Sequence, residues 1–325
     1  MLKAASYVLQ AITVIALASA LVVRARTLGP GHSDDSLPSA VHAGLRNVAL
    51  QWGDEDWGWD WGMPVHKDET VQRSFTVQAA DGHRSIEIDN IWGSIDVQGD
   101  ATGDEVRMDA DKRIHAESNA ALERAQKEVT LDAEQNPGSL KLKMKYPWDC
   151  GGPQCWQFDR PPYAVEMDFR LHVPRDSDLT LKAVNGHEIS VRDVSGEFSI
   201  SNVNGGITMD NIGGSGSAHT VNGSIKATFR ENPKSDFQFG SINGSVELYF
   251  AKDLSADFRF KTFSGNVYSD FPVAASPASM PEEERHGTKY YFRTSGSGGG
   301  RIGAGGPLIR VENLNGDIRI LEKHE

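Results

Sequence analysis

Residues 221–227 have the sequence Val-Asn-Gly-Ser-Ile-Lys-Ala, which is one copy of a repeat that recurs along the chain. Each copy has an apolar residue two positions before a glycine, followed by apolar residues at alternating positions. Full or shortened copies begin at Ile91, Val194, Val203, Val221, Ile242, Phe263 and Leu314. Alternating apolar residues beside an Asn-Gly or Ser-Gly turn are typical of short β-strands. The repeat therefore predicts an all-β chain.

The spacing of the repeat glycines indicates how these units are arranged. Glycines recur every nine residues from Gly196 to Gly223, and every 21 residues from Gly223 to Gly265. Nine residues make one short strand and a turn, and about 20 make two such units, the size of one coil of a solenoid. We therefore expect a single-stranded β-helix, or β-solenoid. Asn-Gly pairs also form hairpin turns, so a meandering antiparallel sheet is the alternative.

The period of two predicts which side chains of each unit face the core. In the copy at 221–229, Val221, Gly223, Ile225, Ala227 and Phe229 fall on one face. Since successive side chains of a strand point to opposite faces, we expect this apolar set to point inward.

An asparagine precedes many of the repeat glycines, as at Asn204, Asn222, Asn243 and Asn315. Asparagine tolerates left-handed backbone angles and bonds to its own turn. If the copies stack, these asparagines are expected to form a ladder.

Upstream of the repeats the sequence predicts strands and one short helix. Ala121, Leu122, Ala125 and Val129 recur at helical spacing near residues 116–128. Strand alternation is seen on both sides of this helix, at 86–97 and at 140–144.

The first 26 residues form a targeting segment. An apolar run spans residues 6–23, after Lys3, and Ala18-Ser19-Ala20 matches a signal-peptidase site. The run is just long enough to cross a bilayer, and Arg24 follows it. Residues 1–26 are therefore either a cleaved signal peptide or an N-terminal membrane anchor, and both place the protein in the periplasm or on the cell surface.

A tryptophan-rich acidic segment lies within the polar linker at 27–69. Its four tryptophans, Trp52, Trp57, Trp59 and Trp61, are interspersed with aspartate and glutamate. Three interpretations of this segment remain open: the indoles cap the end of the fold, they dock a partner protein, or they stack on sugar rings.

Two cysteines, Cys150 and Cys155, enclose a short loop that contains two glycines and a proline. Glycine and proline let the chain turn back sharply, which favours a structural disulfide in an oxidising compartment. A redox pair is the alternative, although the spacing is not Cys-x-x-Cys.

Composition and motifs exclude several functions. With 33 Lys and Arg against 45 Asp and Glu, the net charge is −12, which argues against nucleic-acid binding. The glycines of residues 298–303 match a dinucleotide fingerprint, but no helix pattern follows, so no cofactor is expected. The ten histidines show no metal-ligand spacing. Solenoids can carry carboxylate sites, but the outward residues of the repeats have mixed charges, so we expect no enzyme.

Taken together, these motifs resemble the bacterial "putative adhesin" family, a domain of unknown function. The matching segments are Ala121-Leu122, Leu140–Tyr146, Leu171–Pro174, Leu179–Gly186, the Val-Asn-Gly copies and Leu314–Ile320. The resemblance implies a β-solenoid domain over residues 70–321 and a role in adhesion. It carries over no catalytic residues, and it does not explain the tryptophans or the cysteines.

The resulting hypothesis is a non-catalytic, exported envelope protein that binds a protein or glycan partner, with membrane contact only through the N-terminal segment. Two alternatives remain. One is a periplasmic scaffold or envelope-stress component, and the other is a carbohydrate-active enzyme on a solenoid.

Overall fold

The computed structural model describes residues 63–80, 82–147, 161–275, 282–286, 289–293 and 296–323. The chain divides into two compact units, 1–62 and 63–325, and every described residue belongs to the second. The targeting segment, the four tryptophans and the two cysteines lie outside the described residues, so their roles remain predictions.

The described part is built from strands and one helix. The first elements, in chain order, are β1 (Val65–Thr76), β2 (Arg84–Trp92), β3 (Ile95–Ala101), β4 (Glu105–Ala116), α1 (Asn119–Glu128), β5 (Thr130–Asn136), β6 (Ser139–Lys145), β7 (Tyr163–Pro174), β8 (Ser177–Asn185), β9 (Glu188–Arg192), β10 (Phe198–Asn204) and β11 (Gly206–Ile212). The remaining elements are β12 (Gly216–Asn222), β13 (Ile225–Phe229), β14 (Phe237–Asn243), β15 (Val246–Phe250), β16 (Ala256–Ser264), β17 (Val267–Ser269), β18 (Val273–Ala275), β19 (Glu282–His286), β20 (Lys289–Arg293), β21 (Gly296–Ile302), β22 (Leu308–Asn315) and β23 (Ile318–Glu322).

The strands form two large sheets. The twelve-stranded sheet has the order β1-β4-β7-β3-β9-β11-β13-β15-β23-β17-β20-β19. The eleven-stranded sheet has the order β18-β21-β16-β22-β14-β12-β10-β8-β2-β6-β5. Their inward side chains form one hydrophobic core, as expected for a β-sandwich.

The prediction of a single-stranded β-helix is wrong. Both sheets mix parallel and antiparallel pairs. β1, β4 and β7 are antiparallel neighbours at one end of the twelve-stranded sheet, and β19 and β20 are antiparallel at the other. The eleven-stranded sheet also ends in antiparallel pairs, β5 with β6 and β18 with β21. The repeat predicts strands and turns, but it does not predict how the strands outside the repeat copies pair.

Within the part of the chain that the structure describes, the all-β expectation and the single short helix are confirmed. In the described residues α1 begins after Ser118, whose side chain accepts a hydrogen bond from the backbone N–H of Ala121 at 3.2 Å. Ala121 and Ala125 are its buried residues. The helix contacts β1, β4 and β7, and Lys112 donates from its buried Nζ to the carbonyl of Val129 at 2.7 Å, just past the end of the helix.

Parallel register stacks the repeat copies on one another. In the eleven-stranded sheet Asn204 pairs with Asn222, Asn222 with Asn243, and Asn243 with Asn315. The next strand after each of these turns belongs to the other sheet, as β13 does after β12. Equivalent residues of successive copies therefore lie in straight rows across the sheet.

Candidate binding surface on the eleven-stranded sheet

The turns that follow the repeat strands are joined by a chain of asparagine amides. Each Nδ2 donates to the Oδ1 of the preceding asparagine at 2.8 Å, from Asn315 to Asn243, Asn222, Asn204 and Asn185. Each internal member both donates and accepts. The chain fixes the spacing of the turns, and the predicted asparagine ladder is present at these five positions.

A second polar row lies inside the core, two positions before the ladder. Thr220 donates from its hydroxyl to the carbonyl of Gly205 at 2.8 Å, and Ser241 does the same to Gly223 at 2.9 Å. Asn313 donates to the carbonyl of Gly244 at 2.9 Å. Because these bonds satisfy buried turn carbonyls, this row must point inward.

The residue between these two rows is apolar in every copy and by alternation lies on the outer side of the sheet, although Ile91 also packs against the hydrophobic core. We call these seven residues the apolar row: Ile91, Val184, Val203, Val221, Ile242, Leu314 and Phe263. They lie on β2, β8, β10, β12, β14, β22 and β16, which are consecutive in the sheet. The apolar row therefore crosses seven strands without a polar interruption.

The apolar row is only partly covered. Val203 is buried between its neighbours, but the other members are half-buried except Phe263, whose exposed fraction is 76%. Phe263 is the only exposed large hydrophobic residue among those that the structure describes. Since water contact with a continuous apolar surface is unfavourable, such a row is typical of an interaction site.

The expectation that Val221 points into the core is wrong. Ile225, Ala227 and Phe229 are fully buried as predicted, whereas Val221 is half-buried on the outside and Thr220 takes the inward position. The chain passes from one sheet to the other between β12 and β13, so the alternation of β13 does not continue through the turn into β12. A threonine, serine or asparagine directly before the apolar residue in most copies was the available signal.

Two further outward rows lie beside the apolar row on the same seven strands. The middle row consists of Asp89, Lys182, Ser201, His219, Gly240, Glu312 and Lys261. The far row consists of Glu87, Thr180, Ser199, Ser217, Gln238, Arg310 and Arg259.

Few charges of these two rows are paired within the chain. Glu87 contacts Lys141 at 3.1 Å and Lys182 at 3.5 Å. Glu312 and Lys261 face each other in register on β22 and β16, but neither forms an ion pair within the described part of the chain. Two opposite charges therefore lie side by side next to the apolar row.

His219 lies at the centre of the middle row. Its Nε2 is buried and has no hydrogen-bond partner within the described residues. Burial lowers the pKa of His219 from 6.5 to about 4, so the ring is neutral at pH 7.

The outer face of the twelve-stranded sheet differs. Arg319 contacts Glu247 at 2.6 Å and Asp317 at 3.2 Å, and Arg192 contacts Asp96 at 2.8 Å. Hydrogen bonding to Glu247 is the largest cause that raises the pKa of Arg319. These charges are thus paired with neighbouring side chains of the same chain.

Other site types receive no support within the described residues. No group of three or more metal-ligating side chains occurs among them. None of the helices formed by these residues is long and apolar enough to cross a membrane. The glycine-rich segment 298–302 lies in β21, which pairs with β16 in antiparallel register.

No protein-family model matches this chain, and no curated protein matches it. Two solved structures are similar over 78% of the chain. One is a "putative cell adhesion protein" from Clostridium sporogenes, with 11% identity, a TM-score of 0.36 and 100% of its own chain covered. The other is a "putative adhesin" from Bacteroides fragilis, with 8% identity, a TM-score of 0.34 and 97% covered. At these scores neither likeness transfers a fold or a function to this chain.

Proposed function

We propose that this protein is a non-catalytic, exported protein of the cell envelope that binds a protein partner through the outer face of its eleven-stranded sheet. The observation that carries this proposal is the apolar row, which crosses seven strands and ends in the exposed Phe263. An apolar surface flanked by charges suits protein association. The apolar N-terminal run supports export.

The surface suits a protein better than a small molecule. Its apolar members are aliphatic except Phe263, and they form a row across the sheet. Small-molecule sites are typically concave, with a few converging polar groups. Adhesion through a protein receptor and assembly of an envelope scaffold both use a surface of this kind.

Site-specific photocrosslinking in intact cells tests the proposal. The full-length chain carries a benzophenone amino acid in place of Val221 or Phe263 in the apolar row. The matched control carries it in place of Ser190, which lies on the outer face of the twelve-stranded sheet. We expect one adduct of defined mass from both apolar-row positions and none from the control. Peptide mass spectrometry identifies its second chain, and cell fractionation shows whether it is in the envelope.

Equal adducts from all three positions, or none from either apolar-row position, would contradict a binding role for this face. An adduct recovered only from the cytosol would contradict the envelope location.

A further inference from the structure

We propose that the partner of the apolar row is a second copy of this chain, related by a two-fold axis that runs parallel to the strands and passes over β12. The inference rests on the proposed function, because it names the occupant of the same surface. Its basis is the order of the charges along the middle and far rows. When this order is reversed in the second copy, each charge faces an opposite charge or a neutral residue.

The symmetry operation determines which residues meet. A two-fold axis in the plane of the interface and parallel to the strands places each row on the same row of the partner and reverses the order of the strands. Seven strands carry the three rows, and β12 is the fourth of them from either end. The apolar row therefore covers the apolar row of the second copy over its whole length.

In the middle row this reversal brings opposite charges together. Lys182, on the second of the seven strands, meets Glu312, on the sixth. Asp89, on the first strand, meets Lys261, on the seventh. Each contact occurs twice in a symmetric dimer, so the middle row alone supplies four complementary contacts.

The far row follows the same rule. Glu87 meets Arg259, and neutral side chains occupy the three central strands. Arg310 meets the uncharged Thr180. No pair of like charges arises anywhere in the two rows.

The charge order also selects the position of the axis. If the axis shifts by half a strand spacing toward β14, Lys182 faces Lys261 of the other copy. If it shifts equally toward β10, Asp89 faces Glu312. A two-fold axis perpendicular to the strands would place the apolar row opposite the charged far row. Since like charges in direct opposition are unfavourable at an interface, the axis over β12 is the one of these arrangements that brings opposite charges together in both rows without a like-charge contact.

The size of the surface is at the lower limit for a specific dimer. The three rows occupy five residues along a strand, ~17 Å, and seven strands at a spacing of ~4.8 Å occupy ~34 Å. This gives ~550 Å² per copy and ~1,100 Å² in total, at the low end of specific interfaces.

Sedimentation equilibrium of the purified full-length chain is the first test, and we expect twice the mass of one chain. Val221→Asp places a carboxylate on the axis, opposite its own copy, and we expect at least a 100-fold weaker dimer. Ser190→Asp on the twelve-stranded sheet is the matched control and is expected to leave the dimer unchanged. Circular dichroism confirms that both variants fold.

A charge exchange tests the axis itself. Lys182→Glu and Glu312→Lys should each weaken the dimer about tenfold, whereas the double variant should recover most of the affinity. The rescue cannot arise within one chain, because the two residues lie four strands apart, about 19 Å. Failure of the double variant to recover would overturn the assigned axis.

The outcomes separate this inference from the proposed function. A monomeric chain whose residue 221 still crosslinks to a different protein in cells would overturn self-association and leave the binding role intact. A monomeric chain without any crosslink would overturn both. A dimer insensitive to Val221→Asp would overturn the assignment of this face.

Discussion

The two outer faces of this sandwich rest on the same core and the same turns, but their side chains are arranged in opposite ways. On the twelve-stranded sheet, charges on adjacent strands pair with each other, as Arg319 and Glu247 do at 2.6 Å. On the eleven-stranded sheet such pairs occur toward its two ends, between Arg301 and Asp257 at 2.7 Å and between Lys145 and Asp132 at 2.6 Å. Across its centre an apolar row crosses seven strands, and Glu312 and Lys261 beside it, which face each other in register, make no ion pair within the described residues.

This difference distinguishes a surface whose charges are paired within the chain from a surface that suits a binding partner. Cross-strand ion pairs satisfy the charges of one face without any partner. The other face has an apolar row and two charges, Glu312 and Lys261, that form no ion pair within the described residues, and this is why we propose a binding partner there. The same turns connect the two sheets, so a substitution in a turn affects both faces. A substitution of an outward side chain affects only the face on which it lies.

The largest expected effect comes from the shared backbone. A Cβ on Gly223 would lie 2.2 Å from the carbonyl oxygen of Gly205 on the adjacent turn. Backbone cannot move aside as a flexible side chain can, so Gly223→Ala should cost about 3–5 kcal/mol of unfolding free energy. We expect the melting temperature to fall by about 10 °C, measured by circular dichroism.

Ser190→Ala is the control for this experiment, because Ser190 points outward from β9 of the twelve-stranded sheet and lies outside the proposed interface. It should change the melting temperature by no more than about 1 °C, as surface substitutions usually do. If Gly223→Ala were equally silent, the close stacking of the turns would be refuted.

An intermediate effect is expected on the eleven-stranded sheet alone, from His219. Burial lowers the pKa of His219 to about 4, below the 6.5 of the unfolded chain. The unfolded state therefore binds more protons between these values, and stability present above pH 6.5 is lost as the pH falls toward 4. Between pH 7 and pH 5 this group should cost about 2 kcal/mol.

Urea unfolding of the wild type and of His219→Gln at both pH values measures this contribution as a difference between the two proteins. Dilute protein keeps dimer formation out of the measurement. Other titrating groups affect both proteins equally and cancel. An identical pH dependence in the two proteins would show that the imidazole is accessible to water.

Much of the strand content could be predicted from the sequence, because a period of two is a local property. Alternation alone predicts Ile225, Ala227 and Phe229 in the core, and they are fully buried. The helix at 119–128 follows from local spacing in the same way. The asparagine ladder follows from the repeat.

The architecture could not be predicted, because strand pairing is not local. Nothing in β1 or β4 shows that they are antiparallel neighbours over twelve residues. The apolar row is not predicted from the sequence, because the alternation of the repeat does not continue through the turn at Gly223. At that turn the chain passes from one sheet to the other. The inward positions therefore shift by one residue, and Val221 lies on the outer side of its sheet.

The smallest expected change in unfolding free energy compares the two faces most directly. It concerns two glutamates that both point outward, one on each sheet. Glu247 on the twelve-stranded sheet accepts from Arg319 at 2.6 Å and from the Tyr249 hydroxyl at 3.1 Å. Glu247→Gln should therefore cost about 0.5–1 kcal/mol of unfolding free energy, and less in high salt. Because its contacts lie within one chain, the dimer should be unaffected.

Glu312→Gln on the eleven-stranded sheet should show the reverse. Glu312 has no ion pair within the described part of its own chain, so the monomer should keep its stability. The dimer should weaken, because Glu312 meets Lys182 of the second copy. Urea unfolding measures the stability of the monomer, and sedimentation equilibrium measures the affinity of the dimer, for both variants. We expect Glu247→Gln to lower only the stability of the monomer and Glu312→Gln to lower only the affinity of the dimer. If both glutamates lowered monomer stability equally, the distinction between the faces would fail.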